Sequence, residues 1–268
     1  MTANLLRRRP RRSSFAVQCG VLHGLIVREL KTRFGGRWLG VYWVVLDPLA
    51  QVLFLTLLLG GLHRTVLPGV DYPAFLLTGI VPFYLFRNLA VRGMDSIDAN
   101  RALFGYRQVR PLDPLIARTL IEVWLYTLVS GLALLLFAFL GRPWQPSRPL
   151  EILALGFVVV AGGFGLGLLL AVATVPLTQA RGFVRLLFMP LYLLSGTVTS
   201  ITVTPVEWWP VLMLNPLLHI VELSRGWFFA NYRVVDGLGM AYPAGCALLM
   251  LFAGLAAYRL RRQTILAT

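Results

Sequence analysis

The sequence of 268 residues is 57% hydrophobic and only 13% charged, with a mean hydropathy of +0.73, whereas an average soluble domain is roughly 25% charged. Long apolar runs broken by short polar stretches exclude a pair of soluble domains and point to one helical membrane domain. The formal charge of +14 comes from 25 Lys+Arg against 11 Asp+Glu. These charges lie between apolar runs, so the expected partners are anionic lipid headgroups and an acidic substrate, not nucleic acid.

The chain starts with a basic tail, residues 1–14, containing Arg7-Arg8-Arg9-Pro10-Arg11-Arg12. It superficially matches a twin-arginine export signal. Gln18 and His23 interrupt the next stretch, however, and no small-residue cleavage site appears, so a topology-setting, lipid-attracting tail is expected. Over residues 15–34, Phe15, Cys19, Leu22, Ile26 and Leu30 recur at helical steps and define one apolar face. Arg28, Lys31, Arg33 and Arg37 add a basic side before and after Gly35-Gly36, as in a helix lying in the membrane interface. Two roles are open for it: a simple anchor, or a helix that admits an anionic lipid-linked substrate sideways, with those four cations as its contacts. Cys19 and Cys246 form no disulfide framework or metal spacing.

Six segments reach the roughly 20 residues that a span requires: 39–62, 72–91, 115–140, 150–175, 183–201 and 239–260. Even parity puts both termini on one side. That side carries 18 Arg and Lys residues and the other carries five, which predicts cytoplasmic termini and a multi-pass inner-membrane protein. The fold class is therefore all-α and polytopic, with an interface helix before the first span.

Within the first span, Tyr42, Trp43, Asp47 and Pro48 mark an internal or channel-facing stretch, since an acid in a span is costly unless it meets protein or water. The connection 93–114 holds Asp95, Asp98, Asn100, Phe104, Tyr106, Arg107, Arg110 and Asp113, a mixture of aromatics and charges suited to docking on a soluble partner. Arg118 and Glu122 are spaced to pair at i and i+4. Gly163 and Gly167 form a GxxxG suited to close helix packing. Residues 202–238 carry Trp208, Trp209, Asn215, His219, Glu222 and Arg225. Their apolar run, 211–223, extends only about 20 Å as a helix, too short to cross. A re-entrant or outer-leaflet pair of short helices is expected there, and it is the candidate outer gate. Tyr84 and Tyr192 join the aromatics able to stack on sugar rings, although aromatics are also ordinary at bilayer interfaces.

The alternative class is a membrane-embedded enzyme using Ser195 and His219. Leu193 stands where a GxSG pattern needs glycine, and the sequence has no HExxH and no phosphate-binding GxxxxGK[ST]. Catalytic, metal and cofactor residues are therefore expected to be absent from this chain.

Three blocks carry a family resemblance. Arg28-Glu29-Leu30-Lys31-Thr32-Arg33-Phe34 with Leu39-Gly40-Val41-Tyr42-Trp43 and Pro48 resembles the start of ABC-2-type exporter permeases. Ile97-Asp98-Ala99-Asn100-Arg101-Ala102-Leu103-Phe104-Gly105-Tyr106-Arg107, followed by Val109-Arg110-Pro111-Leu112-Asp113, is similar to the capsular polysaccharide exporters of Gram-negative bacteria. Asn215-Pro216-Leu217, His219 and Val221-Glu222-Leu223-Ser224-Arg225 resemble the same permeases. The resemblance covers nearly all of residues 15–262, a single transmembrane domain; no part of it reaches the arginine-rich tail, and 263–268 is a cytoplasmic end. It implies a homodimer with two ATP-binding-cassette subunits that hold ATP and Mg, exporting a lipid-anchored acidic polymer. It also implies a periplasmic copolymerase and an outer-membrane channel. Residues 98–113 would be the coupling helix and 211–225 the gate helices. An O-antigen or teichoic-acid exporter is the neighbouring alternative.

Overall fold

A computed structural model describes residues 13–34, 46, 48–59, 70–106, 108–177 and 179–267. Among these the regular structure is helical, without strands. The main helices are α1 (Ser14–Phe34), α2 (Pro48–Leu59), α3 (Tyr72–Met94), α4 (Asp113–Phe139), α5 (Pro149–Ala173), α6 (Ala180–Leu194), α7 (Trp209–Leu212), α8 (Pro216–Phe228) and α9 (Ala241–Ala267). We call the face bearing the 95–112 connection the near side and the face bearing 140–148 the far side.

Helices α3, α4, α5 and α9 are long and apolar enough to cross a bilayer. Two of the six expected spans differ from this pattern. Much of 39–62 lies outside the described residues, and the part described is the short apolar helix α2. The expected span 183–201 is instead the 15-residue α6, ending at Leu194. Gly196 follows at φ 68°, a left-handed conformation that stops a helix. At ~1.5 Å per residue α6 reaches about 22 Å, short of a core of about 30 Å.

Prolines and polar caps set several helix starts. Asp71 caps α3 by accepting from the Ala74 amide at 3.3 Å, and its carboxylate also binds Arg142 at 2.6 Å. Asn215 caps α8 through the Leu217 amide at 3.0 Å, with Pro216 at the first position. Helix α5 is the packing centre. A Cβ on Gly167 would meet the Leu89 carbonyl at 2.7 Å, and one on Gly163 would meet Leu89 Cβ at 2.8 Å, so the GxxxG lies against α3. Gly165 faces the opposite way, where a Cβ would stand 2.4 Å from the Leu251 amide nitrogen of α9. These contacts fix the sandwich α3–α5–α9.

Helix α8 lies inside this assembly, packed on α3, α5 and α9. Its start, Pro216 and Leu217, shares a small cavity with Phe86 and Gly162, which sit near the middles of α3 and α5. Its end reaches the far side, where the Trp227 and Phe228 carbonyls accept from the Arg148 and Ser147 amides at 2.9 and 3.1 Å. Pro82 cannot donate to the Thr78 carbonyl; Ser224 of α8 donates to it instead, at 2.8 Å.

Candidate functional site

Two polar clusters organise the functional candidates. The first ties α1 and α6 to the near-side connection. Asp98 pairs with Arg101 at 2.9 Å and with Arg181 of α6. Asp95 pairs with Arg185 of α6 at 2.7 Å. Asn100 is buried; it accepts from Arg28 of α1 at 2.9 Å and donates to the Ser96 carbonyl at 2.9 Å. Asp113, also buried, accepts from Gln18 of α1 and from the Arg110 amide, both at 2.7 Å. Phe104 packs beside Ile97, Leu115 and Leu168. Tyr106 is 66% exposed, and Arg107 lies outside the described residues.

Glu122 is the hub of this side. It is buried on α4 and binds Arg33 of α1 at 2.7 Å and Arg92 of α3 at 3.0 Å. Burial lowers the Arg33 pKa below the ordinary guanidinium value, and the Glu122 carboxylate opposes that shift. The expected Arg118–Glu122 pair is not formed. Arg118 lies 2.9 Å from Glu29 and donates to the Arg92 carbonyl at 2.7 Å. Neighbouring helices approach closely enough to outcompete the i,i+4 geometry. Of the four expected substrate-facing cations, Arg28 and Arg33 are therefore engaged within the protein, Lys31 is exposed, and Arg37 lies outside the described residues.

The second cluster surrounds α8. Glu222 and Arg225 are fully buried and paired at 3.1 Å. Arg225 also donates to the Thr197 carbonyl at 2.8 Å and lies over the Phe75 ring with Cζ 3.6 Å from its centroid. Glu222 accepts from the Tyr232 hydroxyl at 2.6 Å and the Ile201 amide at 3.4 Å. The Tyr232 hydroxyl lies 2.8 Å from Ser200 Oγ. Burial, reinforced by the Glu222 charge, raises the Tyr232 pKa, so it remains a donor. Gly79 makes the approach possible, because a Cβ there would stand 2.7 Å from the Thr197 carbonyl and 2.8 Å from Arg225 Nη2. The sequence carried no signal for Gly79, Thr197, Ser200 or Tyr232, since contacts between distant segments have no period.

Tyr84 and Tyr192 are brought together, with centroids 6.0 Å apart, and Phe83 lies 5.1 Å from Tyr192. Gln51 of α2 donates to the Tyr192 hydroxyl at 2.8 Å. Trp208 is exposed apart from them, and Trp209 donates to the Thr204 carbonyl at 3.2 Å. Tyr42, Trp43 and Asp47 lie outside the described residues. His219 contacts the Met213 carbonyl at 2.8 Å and Gly239 at 3.3 Å, whereas Ser195 donates to the Leu191 carbonyl at 2.6 Å and accepts from Asn215 at 3.0 Å. These bonds fix both side chains structurally and do not join them as nucleophile and base. Among the described residues, no group of three or more His, Cys, Asp or Glu could hold a metal ion.

A short helix packed among helices of membrane-crossing length, with a charged near-side connection tied to an N-terminal helix, defines a polytopic helical membrane protein. The chain matches the ABC-2 type transporter family over residues 21–229 and belongs to it. It is 34% identical over 255 residues to the polysialic acid transport protein KpsM of Escherichia coli, covering 95% of this chain and 98% of that protein. It is 25% identical over 241 residues to the capsule polysaccharide export inner-membrane protein BexB of Haemophilus influenzae, covering 90% and 91%. Similarity to the O-antigen export system permease protein RfbA of Myxococcus xanthus is 24% over 248 residues, covering 91% and 93%.

Proposed function

We propose that this chain is the membrane-spanning subunit of an exporter that carries a lipid-linked acidic capsular polysaccharide from cytoplasm to periplasm. ATP and Mg would be bound by two separate ATP-binding-cassette subunits on a permease homodimer. The carrying observation is the end-to-end likeness to proteins named for polysialic acid and capsule export. The uneven distribution of Arg and Lys supports cytoplasmic placement of both termini. In that orientation the near-side connection faces the ATPases, and α8 is a periplasmic gate helix reached from the outer face.

The near-side contacts suggest a mechanism. Force on residues 98–113 passes to α1 through Arg28–Asn100 and Gln18–Asp113. It passes to α6 through Arg181–Asp98 and Arg185–Asp95. Moving α1 would open a sideways path for the lipid end, with Lys31 and Arg37 as the cations that meet it. The connection after α6 touches Arg225 through Thr197, so the same motion reaches the gate. The polymer would then slide past Tyr84 and Tyr192 and pass to a copolymerase and an outer-membrane channel.

The likeness to RfbA makes an O-antigen exporter the second reading. Export in a strain lacking its own capsule permease, with each candidate ATPase co-expressed, separates these readings. Surface capsule and copurification of the ATPase are expected. Polymer retained in the cytoplasm despite a copurified ATPase would overturn the capsule assignment. Cysteines placed at Ser13 and Arg262 should be labelled only by reagents that reach the cytoplasm.

A further inference from the structure

An open groove of about 500 Å³ runs between α3, α4 and α5, from Pro146 on the far side to Thr119 and Leu120 in the near-side half of α4. Leu120, Val123 and Leu134 of α4 face Ile152, Phe157 and Val160 of α5 across it, and Ser224 and Phe228 of α8 contribute to its wall. Gly156 keeps it wide, since a Cβ there meets nothing within 4 Å.

Among the described residues no charged side chain lines the groove, and its hydroxyl groups are already engaged. Thr78, Thr119, Thr127 and Ser130 donate to carbonyls of their own helices. Ser224 donates to the Thr78 carbonyl, and the Tyr126 hydroxyl accepts from Asn88. Such walls give a sugar or peptide nothing to bond, and burying those groups unpaired is costly.

The dimensions select the occupant. The walls Leu77 to Leu85 of α3 and Ile152 to Val160 of α5 each extend about 12 Å along the helix, and the α4 wall, Thr119 to Leu134, extends about 22 Å. One leaflet of a core of about 30 Å is about 15 Å deep, so along α4 the groove continues past the midplane. Spread over even the shorter height of about 12 Å, the volume gives a cross-section of ~40 Å², while a helix about 10 Å across occupies ~80 Å². A hydrocarbon chain fits where a helix of a second copy does not. At the mouth, Pro146 belongs to the connection that also carries exposed Arg148 and Arg142, whose side chain is 42% exposed while paired with Asp71. These cations complement a phosphate.

We propose that this groove binds one acyl chain of an anionic phospholipid from the far-side leaflet, with the headgroup phosphate beside Arg142 and Arg148. The site is independent of which polymer the protein exports.

The full-length protein in vesicles containing phosphatidylglycerol with a photoactivatable acyl chain tests this directly. Labelling at Leu134, Ile152 and Gly156 should exceed labelling at the exposed Leu248, Leu249 and Phe252 of α9 by about tenfold. Filling the groove with Gly156→Leu and Ser130→Leu should remove that excess. Should the filled variant not fold, the wild-type pattern decides alone. Even labelling of both surfaces would mean annular lipid only and overturn the site, as would crosslinks from the groove to a second chain. The same probe with a phosphatidylcholine headgroup should label more weakly; equal labelling overturns the role of Arg142 and Arg148.

Discussion

The near-side network and the α8 cluster use the same chemistry, guanidinium against carboxylate, for opposite ends. On the near side all pairs but Asp98–Arg101 join different elements, and side-chain exposure ranges from 2% at Glu122 to 49% at Arg185. Partners are several and close together, so one contact can form as another breaks. Around α8 a single pair lies within one helix, both members at 0% exposure, and its outer bonds reach Thr197, Ile201 and Tyr232. Exposed pairs are weak and salt-sensitive, whereas a buried charge left alone is heavily penalised. The first cluster has the alternative partners that a rearrangement would need, and the second holds the short helix α8 against its neighbours.

The largest effect should come from breaking the second cluster. Arg225→Ala leaves Glu222 buried without a counter-charge and should cost roughly 3–5 kcal/mol. It would be read as lower yield and a lower unfolding temperature in detergent. Arg225→Lys should fall between, because an ammonium cannot lie flat on Phe75 while bridging Glu222 and Thr197. Wild-type unfolding for Arg225→Ala would dissolve the contrast between the clusters. Gly79→Ala attacks the same place by volume, and forcing α3 from Thr197 should cost about 1–3 kcal/mol.

Glu122→Gln tests the near side at its most buried point. Arg33 and Arg92 would lose their carboxylate, at a cost of about 1.5–3 kcal/mol for charged hydrogen bonds. The loss should be local: amide exchange should speed up over residues 14–34 while the α8 region stays protected. Exchange rising equally in both places would mean that the two clusters are one cooperative unit.

Sequence patterns revealed the class of fold because apolar length and charge asymmetry are local properties of the chain. They also flagged Asp98, Asn100, Asp113, Glu222 and Arg225 as polar residues in telling places. They did not reveal partners. Glu122 and Arg118 satisfy a helical spacing, yet each turns to another helix, because packing brings Arg33, Arg92 and Glu29 within reach. No sequence signal paired Arg28 with Asn100 or Arg33 with Glu122 either. The end of α6 was hidden because residues 195–201 lack charge, although five of the seven are Ser, Thr or Gly, while the stop lies in the backbone at Gly196.

The smallest effect should belong to Asp95→Asn, and its smallness is informative. Asp95 and Arg185 are 31% and 49% exposed, so the pair should contribute about 0–1 kcal/mol. Unfolding temperature should barely move. Asp98→Asn, at a carboxylate 21% exposed and shared between Arg101 and Arg181, should also leave most of the stability intact. The two should separate in polysaccharide export, with Asp98→Asn the more impaired, because Asp98 begins the short helix Asp98–Leu103 that also carries Asn100. Raising ionic strength screens exposed charges over about 8 Å at physiological salt and less above it, so added salt should mimic Asp95→Asn before it mimics Asp98→Asn. Equal export loss in the two variants at every salt concentration would mean that α6 is held by net charge alone. The residue-by-residue linkage assigned to the near side would then be wrong, while the account of α8 would stand.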